Sequence, residues 1–155
     1  MTFIKFFSKS EKEKFTGKLN EQFGINEIPF NLVRWGKERI IVIPEEISER
    51  QLNIIGSIAN IENLGLYLAK EENDGIRLSI EGTHLLKEQI KKNIFELDEK
   101  QLENWMLGYE LNVQPEKKGF VVMKYKNDFL GTGKASENRI TNFVPKSRRL
   151  KSKGV

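Results

Sequence analysis

At 155 residues the chain has room for one domain or two small ones, and 38% hydrophobic with 31% charged residues is the composition of a soluble globular protein. No apolar run approaches the roughly 20 residues of a membrane helix, and the complete absence of cysteine excludes disulfides, thiolate nucleophiles and cysteine-based metal sites. The formal charge of +4 hides two oppositely charged parts: from residue 117 onward 11 Lys and Arg stand against 2 Asp and Glu, whereas residues 1–116 hold 15 basic and 20 acidic side chains.

In chain order, residues 3–7 form a short apolar run, a strand or a flap, and the first residues lack the long apolar core of a secretory signal. Ser10 and Glu13 have capping-box spacing, Phe15, Leu19 and Phe23 recur at helical spacing, and Gly24 suits a left-handed C-cap, which predicts a helix over about 11–23. Two β-prone runs, 30–35 and 38–43, flank Gly36-Lys37 as a hairpin that Pro44 stops, with Arg34, Lys37 and Arg39 around its turn. Residues 45–63 read as one or two short helices with Ile54, Ile55, Ile58 and Ile61 facing inward. A second hairpin joins 65–70 to 76–80 through Asn73-Asp74-Gly75. Thr83 is placed to cap a helix carrying Leu85, Leu86 and Ile90, with Lys91 and Lys92 at its C-terminal dipole end. His84, at the start of that helix, has no acidic or hydroxyl constellation beside it and reads as structural.

Asp98 opens the clearest helix, with Gln101 completing a capping box, Leu97 and Leu102 forming a hydrophobic staple, Trp105 on the buried stripe with Met106 and Tyr109, and Gly108 at its end. After a linker over 112–118 comes the apolar run 120–123, followed by interleaved basic and aromatic residues. Gly131-Thr132-Gly133-Lys134 invites comparison with a phosphate-cradling loop, but the pattern needs a glycine where Asp128 stands and a hydroxyl residue where Ala135 stands, so an NTPase is excluded. Gly131 and Gly133 read as a turn or bulge that a nucleic-acid backbone could also approach closely.

The basic set Lys124, Lys126, Lys134, Arg139, Lys146, Arg148 and Arg149 suits phosphate contacts, which carry no sequence preference. Asn142 and Phe143 suit hydrogen bonding to, or stacking on, an unpaired base, although either could equally be structural.

The motifs Leu97-Asp98-Glu99-x-Gln101-Leu102-x-x-Trp105-Met106-x-Gly108, Phe129-Leu130-Gly131-x-Gly133-Lys134 and Arg139-Ile140-x-Asn142-Phe143-Val144-Pro145-Lys146-x-x-Arg149 resemble the PUA-like C-terminal domain of the Sun/RsmF-type RNA 5-methylcytosine methyltransferases. Residues 23–25, the 34–37 turn and 65–79 are similar, more loosely, to the segment preceding that domain in the same proteins. The resemblance implies an α+β protein: a helix-and-hairpins domain over 1–92, a PUA-like β pseudo-barrel over 93–150, and a basic tail over 151–155. It further implies a stand-alone, non-catalytic RNA-binding module, since the methyltransferase domain with its two catalytic cysteines is not in this sequence. The expected partners are rRNA or tRNA and a separate RNA-modifying enzyme, in a cytoplasmic protein that uses no cofactor, metal or membrane. The rival reading is an adaptor whose basic end docks on an acidic protein; an enzyme is the weakest, with scattered carboxylates and one histidine.

Overall fold

The computed structural model describes residues 4–58 and 65–151. Five antiparallel strands form a first sheet in sequential order: β1 (Ile4–Phe6), β2 (Asn31–Trp35), β3 (Arg39–Ile43), β4 (Leu66–Glu72) and β5 (Gly75–Leu78). Both expected hairpins are present, β2–β3 and β4–β5. Helix α1 (Lys9–Phe23) buries Phe15, Leu19 and Phe23, and Gly24 takes the left-handed C-cap with φ of 85°. Its capping box is Ser8 with Glu11 rather than Ser10 with Glu13. Both pairs have the right spacing; starting at Ser8 lengthens the helix without rotating its phenylalanine stripe.

Helix α2 (Glu49–Ile58) corrects a second expectation. Leu52 is its buried residue, while Ile54, Ile55 and Ile58 are 50%, 52% and 80% exposed; Ile61 lies outside the described residues. At about 100° per residue, Ile54 and Ile58 sit roughly 160° and 120° around the axis from Leu52, so a helix resting on Leu52 turns them outward.

Helix α3 (Ile80–Leu85) is capped by Ser79, whose Oγ accepts from Gly82 N at 2.9 Å and donates to Tyr67 O at 2.5 Å. Thr83, expected as the cap, is buried in the helix and donates to Ile80 O at 2.7 Å. Leu86 and Ile90 are buried as expected, but Leu85 is half-exposed. Because α3 ends at Leu85 and gives way to a 3₁₀ turn over Lys87–Gln89, Lys91 and Lys92 fall beyond any helical C-terminus.

The second sheet has the order β6 (Ile94–Glu96), β7 (Gly119–Tyr125), β8 (Asp128–Ala135), β9 (Ile140–Thr141), with β6 parallel to β7 and the other pairs antiparallel. The β6–β7 crossover carries α4 (Glu99–Met106), where the Asp98–Gln101 capping box forms as expected. Trp105 is fully buried among Val121, Met123, Ile140 and Val144. The architecture is thus α+β, with the second sheet wrapped around one aromatic residue as a pseudo-barrel. A separate core cluster unites Phe15, Leu19 and Phe23 of α1 with Phe120, Val122 and Phe129 of the second sheet, so the two sheets share packing. Gln22 ties α1 to β5 by accepting from Ile76 N at 2.8 Å and donating to Ile76 O at 3.0 Å. Among the described residues no helix is long and apolar enough to cross a membrane.

Candidate nucleic-acid interface

The strand-turn-strand unit β7–β8 spreads its lysines along its length. Lys126 occupies the turn with a φ of 54°, its ammonium 5.3 Å from the Tyr125 ring centroid. Lys124 lies opposite Phe129 on the ladder, its ammonium 5.5 Å from that ring. Lys134 is near the other end of β8, about 20 Å from the turn at the usual rise per strand residue. There it pairs with Asp74, at the tip of the β4–β5 turn, and lies 5.7 Å from the Phe120 ring. The Lys134 hydrogen bond holds the Asp74 carboxyl below its ordinary value, and the same bond raises the Lys134 ammonium.

The C-terminal cations gather around the end of α4 and the start of α3. Arg139 is exposed and meets Glu110 at 3.4 Å. Lys146 and Arg148 lie on a 3₁₀ turn over Lys146–Arg148; Lys146 is exposed, and Arg148 pairs with Glu81 in the first turn of α3. Arg149 turns inward. Its Nε donates to Val144 O at 2.9 Å, and its guanidinium packs so close to Gly108 that a Cβ there would meet Arg149 Nε at 2.5 Å. Gly108, with φ of 93°, therefore both ends α4 and admits this arginine.

The structure therefore brings Lys146, Arg148 and Arg149 together on one 3₁₀ turn and its C-cap, while Lys124 and Lys126 sit on the β7–β8 hairpin. Three of the cations have carboxylate partners, Asp74, Glu110 and Glu81, all from the acidic part of the chain. These are half-exposed surface pairs that contribute little to stability and that a phosphate can displace.

Asn142 and Phe143 occupy different situations. Asn142 Nδ2 donates to Trp105 O at 2.8 Å and to Tyr109 O at 3.0 Å, while its Oδ1 accepts from Val144 N at 2.8 Å. Both amide hydrogens thus close off the end of α4, the structural one of its two sequence readings. The Phe143 ring lies beneath the Arg77 guanidinium, 4.1 Å from carbon to centroid, on the wall of a cleft between the sheets. Arg77 escaped notice in the sequence because it belongs to the first sheet, and only the pairing of β5 with β4 aims it across the junction.

Gly131 and Gly133 correct the idea of glycines open to a nucleic-acid backbone. Both are buried, and what approaches them is the protein itself: a Cβ on Gly131 would meet Ile80 Cγ1 at 3.1 Å, and one on Gly133 would meet Ile140 Cγ2 at 2.5 Å and Trp105 Cη2 at 2.8 Å. His84 Nε2 lies 2.7 Å from Phe129 O and donates to that carbonyl, which ties α3 to β8.

Comparison with known proteins agrees with this architecture. Two relatives are both ribosomal RNA small subunit methyltransferase F: that of Vibrio cholerae is 23% identical over 141 residues, and that of Vibrio parahaemolyticus 26% over 146. Each alignment takes in 90% of this chain but only 28% and 29% of the relative, so the chain spans under a third of the length of these proteins. A family model described as the methyltransferase RsmF PUA domain matches residues 92–150. The PUA-like region that the motifs between Leu97 and Arg149 resemble is therefore present, and it comprises β6, α4 and the β7–β9 unit.

Proposed function

We propose that this chain binds structured RNA, rRNA or tRNA, through its PUA-like region, and that it serves RNA modification or ribosome biogenesis by binding rather than by catalysis. The observation that carries the reading is the coincidence of the cationic excess after residue 117 with the segment that matches the PUA domain of an RNA methyltransferase. The relatives' name, an rRNA methyltransferase, supports rRNA as the first RNA to try. Lys124, Lys126 and Lys146 are the phosphate contacts that need no exchange, with Lys134, Arg139 and Arg148 joining as RNA displaces their carboxylate partners. Asn142 and Arg149, whose polar groups are used inside the fold, hold the surface in shape. A separate RNA-modifying enzyme is the expected protein partner.

Fluorescence anisotropy on a structured rRNA fragment across a salt series tests this. About five phosphate contacts give a log–log slope near −4. The triple change Lys126→Ala, Lys146→Ala, Arg148→Ala flattens that slope by about 2 to 3, because each lost contact removes a little less than one unit. Equal affinity and slope for the triple variant overturn the proposal.

A further inference from the structure

The cleft between the sheets contains chemistry that the phosphate contacts do not use. It is bounded by the β5–α3 junction, by Leu130–Thr132 of β8 and by Phe143–Pro145, and encloses about 80 Å³. Two buried side-chain polar atoms without a hydrogen-bond partner stand out among the described residues, Arg77 Nε and Thr132 Oγ1, and both residues line this cleft. Thr132 is only 3% exposed. Buried polar groups are almost always paired, and an unpaired one is costly to keep. Two residues that carry such atoms line one cleft, and that coincidence points to an occupant.

The surroundings narrow its chemistry. Arg77 is held in place by Phe143 beneath it and by Glu72, whose carboxylate lies 3.7 Å from Nε. At the rim, Glu81 is paired with Arg148. Each charge at the cleft therefore has a counter-charge, which disfavours a phosphate inside and favours a neutral polar group. Arg77 Nε–H offers a donor and the Thr132 hydroxyl offers a donor and an acceptor, a set that matches a carbonyl beside a ring nitrogen. The enclosed volume equals that of about two or three water molecules, so it admits the edge of a planar ring rather than a whole one.

We propose that this cleft receives the Watson–Crick edge of one unpaired pyrimidine, read by Thr132 and Arg77 with Phe143 and Pro145 at its rim, while Arg148 holds the adjoining phosphate. The inference deepens the RNA-binding reading and rests on it. Unpaired bases splayed out of loops are the usual targets of sequence-specific RNA recognition.

The test compares the full chain with Thr132→Val, which keeps the shape and removes the hydroxyl, and with Thr132→Ser, which restores it. Each is assayed on an rRNA loop fragment and on the same fragment with single loop pyrimidines replaced by abasic sites. The expected result is a roughly tenfold loss of affinity for Thr132→Val, equivalent to one hydrogen-bonded group, with the salt slope unchanged and with recovery in Thr132→Ser. One abasic position abolishes the difference between wild type and Thr132→Val. Should Thr132→Val fail to fold, the abasic series on wild type decides: a tenfold loss at one pyrimidine supports the cleft, and losses within twofold at every position overturn it. RNA binding by wild type with Thr132→Val within twofold of it overturns the cleft and leaves the RNA reading standing, two or three waters then filling the space. Absence of RNA binding by wild type at low salt overturns both.

Discussion

Replacing Asn142 by alanine separates two jobs that one side chain can do. The wild-type amide makes three bonds within the fold: two from Nδ2, to Trp105 O and Tyr109 O, and one to Oδ1 from Val144 N. Together they tie the end of α4 to the segment after β9. A typical intramolecular hydrogen bond contributes about 1 kcal/mol net. The bond to Tyr109 is exposed and recovers part of its loss through water, so Asn142→Ala should destabilise the protein by about 2–3 kcal/mol. With a urea slope of about 2 kcal/mol per molar, the unfolding midpoint falls by about 1–1.5 M. Tryptophan fluorescence, to which Trp35 and the buried Trp105 both contribute, and circular dichroism are suitable probes, and the two transitions should coincide if unfolding is two-state. The folded variant should bind RNA with wild-type affinity and salt slope. A midpoint within 0.2 M of wild type, in about the same buffer, together with lost base preference in RNA binding, would refute the structural assignment and return Asn142 to the role of base reader.

Gly133→Ala should overpack the centre of the second sheet, since its Cβ would meet both Ile140 and Trp105 below 3.0 Å; a loss of about 1–3 kcal/mol by denaturant titration is expected. Ser8→Ala removes the α1 cap that accepts from Glu11 N and should cost about 1 kcal/mol. The Glu11 carboxyl is held below its ordinary value, chiefly by its hydrogen bond from the Ser8 backbone. A carboxyl lowered on folding adds stability above its unfolded pKa and loses it as pH falls through the folded one. That acid-side loss, followed by unfolding between neutral and acid pH, should shrink in Glu11→Gln. Asp74→Asn removes the partner of Lys134 and one negative charge beside β8. RNA affinity should rise, and the log–log salt slope should steepen by somewhat less than about one unit as Lys134 becomes a full phosphate contact. Weaker RNA binding in Asp74→Asn would mean that the pair positions Lys134 rather than occupying it.

Local signals carried most of the architecture because they depend on residues three or four apart. The phenylalanine stripe of α1, the Asp98–Gln101 box and the Asn73-Asp74-Gly75 turn each specify their own element. The errors arose where two local solutions competed or where the answer lay across the junction. Ser8 and Ser10 both stand three residues before a glutamate, and Ser79 and Thr83 are both fit to cap. Ser79 prevails because it also reaches the Tyr67 carbonyl on β4, a contact 12 residues away that no window of helical spacing contains. Ile54, Ile55 and Ile58 form a good apolar pattern with nothing described packed over it; hydrophobicity alone does not say which face a helix will bury. At the candidate site, charge was legible and geometry was not. The cationic excess is visible in composition, but the inward turn of Arg149, the engagement of Asn142 and the aim of Arg77 at Phe143 require the meeting of two sheets.

That meeting also shapes how an anion would be received. If the cations after residue 117 were unpaired, any polyanion would be attracted in proportion to its charge, and affinity would rise from the first phosphate onward. Lys134, Arg139 and Arg148 instead begin with Asp74, Glu110 and Glu81 beside them. A single phosphate then exchanges one weak contact for another and leaves a carboxylate close by, so the first exchange gains little. Several phosphates at the spacing of a folded RNA can replace several partners at once while Lys126 and Lys146 contribute without exchange. The nearby carboxylates lower affinity for every ligand, but they lower it most for ligands that cannot span the surface. Under the proposed function, the acidic front of the molecule acts as a filter on its basic end: neutralising Asp74, Glu81 and Glu110 together should strengthen binding to short single strands more than to a structured rRNA fragment.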